Sequence, residues 1–323
     1  MTLPDDNGAA EGDDPLEHRV SESDAGNRVD VFLVQHVPHM TRAKAKSLAA
    51  EGKVRIDGHR VRKGHRVATG ELVSLEELPP PSDFDPEPNA ELELSIIHED
   101  EHLVVVDKQA GIPCHPLRPN ERETIANALV ARYPEMIGIG HAQREVGLLH
   151  RLDNDTSGLL LAARDRATFE RLSEDLAERR VDKRYSALCR GFVHAPAFID
   201  WPIAHDKADR RRMAVCERPE EADRMGARPA STEVLDSELI GAGSFSLVEV
   251  RAKSARRHQV RAHLASLGHP LAGDQLYGGP PIEGLDRHFL HASRIMLPDG
   301  SGGQLELRSK LPPDLLAAIQ SLE

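Results

Sequence analysis

The sequence predicts an α+β protein in several parts. A small module of two helices and a hairpin comes first. A larger domain follows, with a mixed, largely antiparallel sheet flanked by helices and loops. Three observations lead there. The chain has 323 residues, of which 39% are apolar, enough for more than one core. Its charge is distributed in blocks that separate a basic stretch from acidic flanks. Beyond residue 94, strand-like runs and helical periodicities mix without regular βαβ alternation.

The net charge of −12 alone speaks against a nucleic-acid partner. Its distribution points the other way. Residues 1–26 hold eight acids and one Arg, net −7, and residues 76–93 hold seven acids and no Lys or Arg, net −7. Residues 27–75 carry ten Lys/Arg against four Asp/Glu, net +6. The local field steers an anionic partner more than the total charge does.

Residues 1–26 are polar, acidic and poor in large apolar side chains, so a disordered tail is expected. In the module at 27–76, Val29, Phe32 and Leu33 share one helical face. Thr41 is placed to cap a second helix with Ala45, Leu48 and Ala49 inward, and Gly52 to close it. KVRIDG and HRVRKG alternate as strands around a turn at Asp57-Gly58. Arg42, Lys44 and Lys46 lie near the start of the second helix; Arg60, Arg62, Lys63 and Arg66 follow on the hairpin. Such charges equally describe a solvated face. Residues 77–93, with prolines and acids but no periodicity, read as a linker.

From residue 94, LSIIHEDEHLVVVDKQAG reads as strands leading to a glycine turn. HRLDNDTSG, at 150–158, runs into LLLAA, a buried strand. Asp165 is expected to cap the next helix, whose Phe169, Leu172 and Leu176 form one stripe. KRYSALCRG is a further strand, with Tyr185 among only three tyrosines. Residues 252–279 are dense in Arg and His. A loop entering a rigid strand suits catalytic groups, which makes Asp153 the candidate nucleophile or base. Asp155, Thr156 and Ser157 are expected as local turn and capping groups. A Ser–His–Asp hydrolase using Ser157 or His150 is disfavoured, because no GxSxG surrounds Ser157. A metal centre is disfavoured too, since His150 and Asp153 lack companions at ligand spacing.

HRLDNDTSG, VDKQAGIPCHP, KRYSALCRG, RRHQVRAHLASLGHPLAGDQLYG and LHASRIML, in this order, resemble the RluA-type pseudouridine synthases over about residues 94–310. The segment 27–75 resembles the alpha-L RNA-binding domain, an arrangement seen in the ribosomal-RNA branch of that family. The resemblance implies an RNA uridine-to-pseudouridine isomerase without cofactor or metal, acting chiefly on large-subunit ribosomal RNA. Transfer RNA is the alternative substrate, and a non-catalytic RNA-binding assembly factor the alternative of another class. The family's catalytic Asp falls on Asp153, its active-site Tyr on Tyr185, and the Arg that pairs with the Asp on Arg261. RNA contacts fall on Arg151, Arg256 and His258, on the basic arm with Arg210, Arg211 and Arg212, and on the module's Arg42, Lys44, Lys46, Arg62 and Lys63. Three positions depart from the family's commoner residues: Gln109 where Pro is usual, Asn154, and Ala255 where Gly is usual.

The three cysteines, Cys114, Cys189 and Cys216, are distant and odd in number, which fits a reducing cytosol. No apolar leader or membrane-length run is visible. A cytoplasmic monomer with RNA as its partner is the resulting expectation.

Overall fold

In the computed structural model, residues 16–37, 40–61, 64–75, 83–209, 211–254, 256–300 and 302–323 are described. The chain divides into two compact units, Met1–Phe84 and Asp85–Glu323.

The first unit runs β1 (Leu16–Arg19), α1 (Val29–His36), α2 (Arg42–Glu51), β2 (Val54–Ile56), β3 (His59–Arg60) and β4 (Leu72–Leu75). Its sheet has the order β1-β4-β2-β3. Val29, Phe32 and Leu33 of α1 and Ala45 and Leu48 of α2 pack on Val54, Ile56, Val73 and Leu75. The Thr41 hydroxyl accepts the Lys44 amide at 3.2 Å, and Gly52 ends α2 in the left-handed conformation. Asp57 and Gly58 both have positive φ, 47° and 79°, as the tight turn between β2 and β3 requires.

The expectation of disorder over residues 1–26 is wrong from Leu16 onward. β1 pairs antiparallel with β4, Leu16 opposite Leu75 and Arg19 opposite Leu72. Composition misses it because the strand needs backbone pairing and one inward anchor, Val20, which is 2% exposed. Asp24 is held as well, by Ser21 and His36 at 2.5 and 3.0 Å.

The second unit runs β5 (Ile96–Glu99), β6 (Leu103–Lys108), α3 (Ile125–Arg132), β7 (Ser157–Ala163), α4 (Arg166–Ala177), β8 (Asp182–Arg190), β9 (Ala197–Ile199), β10 (Ile203–His205), β11 (Met213–Val215), α5 (Pro219–Met225), β12 (Thr232–Ile240), β13 (Phe245–Ala252), α6 (Gln259–Ser266), β14 (Leu290–Pro298), β15 (Gln304–Arg308) and α7 (Pro313–Gln320). Nine strands form one sheet in the order β5-β6-β7-β14-β8-β13-β12-β9, with β15 beside β14. All its pairings are antiparallel except β7 with β14. β7 is buried at every position, as a strand covered on both faces must be. Asp165 caps α4, accepting the Thr168 amide at 2.8 Å.

Part of the segment read as a linker belongs to this unit. Asn127 of α3 donates to the Glu87 carbonyl at 2.8 Å and accepts the Asn89 amide on its own carbonyl at 3.0 Å. The arm segment after residue 205 is ordered in part as the β10–β11 hairpin and α5. Among the described residues, no helix is long and apolar enough to cross a membrane.

Candidate active site

The loop before β7 is fixed from two sides. On one side, buried Lys108 donates through Nζ to the carbonyls of Gln109, Ile112 and Asn154 at 2.9, 2.7 and 2.7 Å. On the other, the end of the chain reaches back. Thr156 Oγ1 bonds His288 Nε2 at 2.8 Å, Ser157 Oγ bonds His291 Nδ1 at 2.9 Å, and Arg287 donates to the Asp155 carbonyl at 2.9 Å. Thr156 does make the expected local turn, its amide donating to the Asp153 carbonyl at 3.1 Å. Its hydroxyl and that of Ser157, however, serve long-range contacts instead of capping. Gly158 is needed where β7 meets β14: its φ is +112°, and a Cβ would overlap the Ala292 backbone.

This loop holds Asp153 against α6. Arg261 Nη1 donates to Asp153 Oδ2 at 3.0 Å, while its Nε and Nη2 grip Asp274 at 2.7 and 2.9 Å. The bidentate face of the guanidinium is therefore spent on Asp274, which is 2% exposed, and the remaining nitrogen is aimed at Asp153. Burial pushes the Asp153 carboxyl up, but the charges of His258 and Arg261 and the Arg261 hydrogen bond outweigh it, so the group lies below its ordinary value. His258 is itself pushed down to about 4 by burial, so Arg261 is the permanent cation at neutral pH.

His258 opens α6 in the left-handed conformation, φ 54°. Its Nε2 lies 3.9 Å from Asp153 Oδ2, and its Nδ1 bonds the Tyr277 hydroxyl at 3.1 Å. Tyr277 also accepts the Met213 amide of β11 at 2.8 Å. The guanidinium carbons of Arg212 and Arg261 lie 5.2 and 5.3 Å from its ring centre. Tyr277 thus joins the hairpin to the Asp153–Arg261 pair.

A cleft beside Asp153 is lined by His150, Lys183, Tyr185, Ser254, Arg256 and Val260, among others. Tyr185 and Lys183 alternate on one face of β8 and are 9% and 5% exposed. Burial, aided by the Asp153 charge, raises the Tyr185 phenol, so it keeps its proton at neutral pH and is a poor base. His150 Nε2 accepts the Leu161 amide at 3.1 Å, and burial together with the Lys183 charge pushes His150 down to about 3. Ser157 is 3% exposed inside the sheet. Neither residue is placed as the hydrolase reading required.

Of the predicted RNA contacts, Arg151 is exposed at the rim of this cleft, and Arg256 lines it while donating to the Pro229 carbonyl at 3.1 Å. Arg211 is 80% exposed with its guanidinium on Asp209. Arg212 instead packs on Tyr277. In the first unit, Arg42 and Lys46 are exposed and Lys44 half-buried. Arg62, Lys63, Arg210 and Ala255 lie outside the described residues. Sequence reasoning missed Asp274, Lys108, Lys183 and Tyr277. Only the Gly273-Asp274 turn at the end of the Arg/His-rich segment offered a local signal. Among the described residues, no three His, Cys, Asp or Glu side chains converge to hold a metal ion.

An ionised carboxylate held by arginine in a cleft with an aromatic wall and a basic rim suits chemistry on a base drawn out of a polyanion. Comparison with known proteins agrees. A family described as RNA pseudouridylate synthase matches residues 102–266, and one described as S4 domain matches residues 27–73. The chain is 32% identical over 322 residues to ribosomal large subunit pseudouridine synthase D of Yersinia pestis, covering 95% of this chain and 94% of the relative. It is 37% identical over 309 residues to an uncharacterized RNA pseudouridine synthase of Chloroflexus aurantiacus, covering 94% and 92%. The solved structure of human RNA pseudouridylate synthase domain containing 1 superposes with a TM-score of 0.53 at 28% identity, covering 72% of this chain and 90% of that one. The chain belongs to the RNA pseudouridylate synthase family, whose reaction is the isomerisation of uridine to pseudouridine in RNA.

Proposed function

We propose that this protein isomerises specific uridines of large-subunit ribosomal RNA, with Asp153 as the catalytic carboxylate. The observation that carries the site assignment is the 3.0 Å contact from Arg261 to Asp153 in a cleft shared with Tyr185. The substrate class is supported by the names of relatives such as that of Yersinia pestis and by the S4 match.

A uridine within folded RNA must leave its stack to reach Asp153, at a cost of a few kcal/mol. Arg151 and Arg256 at the cleft, and Arg211 on the hairpin, offset that cost through phosphate and base contacts. His258, 3.9 Å from the Asp153 carboxylate, helps to orient it. Tyr185 provides the face on which the uracil stacks. Asp153 acts as a nucleophile at C1′ or as a base at C2′; either route breaks the C1′–N1 bond. The detached uracil turns and rejoins C1′ through C5. The C5 proton is lost and N1 gains one, so the reaction balances without a cofactor. Arg42, Lys44 and Lys46 of the first unit add sequence-independent affinity. The protein acts as a monomer in the cytoplasm.

The test is tritium release from RNA labelled at C5 of uridine, using large-subunit transcript, small-subunit transcript and transfer RNA. Release from large-subunit RNA that disappears with Asp153→Asn is expected. Release from transfer RNA alone overturns the substrate class. Tight binding without release from any RNA overturns the enzymatic reading in favour of a binding factor.

A further inference from the structure

Two lysines are buried in the second unit, and they are treated differently. Lys108 is 1% exposed and its ammonium meets three backbone carbonyls within 2.9 Å. Lys183 is 5% exposed, and among the described residues its Nζ has no hydrogen-bond acceptor and no carboxylate partner, keeping only a small opening to the cleft. Burying an ammonium without a partner is costly, and such a group calls for an explanation. Its setting supplies one. Lys183 sits two residues before Tyr185 on the same face of β8 and lines the cleft that also holds Asp153.

We propose that Lys183 is a catalytic residue whose ammonium binds a ring oxygen of the uracil while the base is detached from the ribose. This rests on the functional reading above. When the C1′–N1 bond breaks, its electron pair leaves with N1, and the charge spreads over the ring nitrogen and the two carbonyl oxygens. Arg261 is poorly placed to serve that charge, because each of its three nitrogens already donates to Asp153 or Asp274. A preorganised donor aimed at charge that develops during reaction is the strongest kind of electrostatic catalysis. Lys183 donates a hydrogen bond and keeps its proton throughout, while the C5 proton goes to another acceptor. The acceptor missing from the free protein is the substrate itself.

The cleft gives this assignment its own pH signature. His150 lies at about 3 and His258 at about 4, and Asp153 lies below and Tyr185 above their ordinary values. Lys183 is lowered to about 8 by burial, as is Lys108 behind the loop, so the profile of Lys183→Arg is what assigns the titration to Lys183. A required ammonium makes the rate fall as pH rises through that value. A lysine acting as base makes it rise.

The experiment measures single-turnover tritium release and RNA binding for the full chain and for Lys183→Met and Lys183→Arg. Lys183→Met should slow release about 100-fold while RNA affinity changes less than about 3-fold, with a melting temperature no lower than that of the parent, because an unpaired buried charge is removed. Lys183→Arg should keep the rate within about 10-fold and abolish its fall above pH 8. Should Lys183→Met not fold, the pH profiles of the parent and Lys183→Arg decide the matter. A Lys183→Met rate equal to the parent's, or a parent rate that rises through pH 8, overturns the assignment. Absence of release by the parent protein overturns the functional reading instead.

Discussion

The two units use positive charge in opposite ways. In the first, cations stand in water: Arg42 is exposed, and Lys46 is 61% exposed and 4.0 Å from its nearest acid, Asp30. In the second, the cations around Asp153 and its loop are inside: the side chains of Arg261, Lys108 and Lys183 are almost wholly covered. Exposed charges contribute little to stability but set encounter and affinity for a polyanion. Buried charges carry a desolvation cost and persist where a fixed partner or a reacting group compensates it. Affinity and chemistry are therefore separable in this chain, and substitution should separate them.

The largest effect is expected from Asp153→Asn, which removes the ionised carboxylate while keeping its size. Single-turnover release should drop at least about 1000-fold, with RNA affinity unchanged within about 3-fold in a filter-binding assay. A comparable fall in affinity would collapse the distinction between the units. Next comes Arg261→Met. It strips the bidentate partner from buried Asp274 and should cost about 3–5 kcal/mol in urea unfolding, besides abolishing release. Arg261→Lys should recover little of either, since an ammonium cannot grip Asp274 through two parallel bonds and still reach Asp153.

A smaller effect concerns acid. The Asp153 carboxyl lies below its ordinary value of 3.8, so pairing with Arg261 stabilises the fold fully above that pH. The stabilisation disappears as pH falls through the lowered value. Asp153→Asn should make stability less steep below pH 3.8 in acid titration followed by circular dichroism, whereas Arg42→Gln should leave that slope unchanged. The smallest effect is expected in the first unit. Arg42→Glu with Lys46→Glu should weaken RNA binding several-fold and lower the salt slope by about 0.9 for each phosphate left unneutralised. Release at saturating RNA should stay within about 2-fold.

Much of the first unit was legible because its signals are local. Thr41, Gly52 and the Asp57-Gly58 pair each specify a cap or turn within four residues. β1 was not legible, because the acids around it outweighed a pairing defined only by β4. In the second unit, β7 and the Asp165 cap followed from pattern. The site did not, since Arg261 and Asp153 are 108 residues apart and Thr156 and His288 are 132 apart. Resemblance to a family supplied the Asp153–Arg261 pair. Lys108 and Lys183 were missed because nothing beside them in sequence marks them as buried ions, and the Gly273-Asp274 turn marks a bend, not the partner of Arg261. The hydroxyls of Thr156 and Ser157 were assigned local duties, while their partners lie on or next to the late strand β14.

The parallel union of β7 and β14 bears on when this protein becomes active during its own synthesis. Ser157 waits for His291, and Asp155 for Arg287. Nascent chains that end between β7 and β14 carry Asp153 but lack the strand that seats its loop, and closing a gap of that length costs conformational entropy. The loop around Asp153 is therefore completed after β14 has been made. A fragment that stops short of Arg287 lacks the contacts that hold the Asp153 loop from that side.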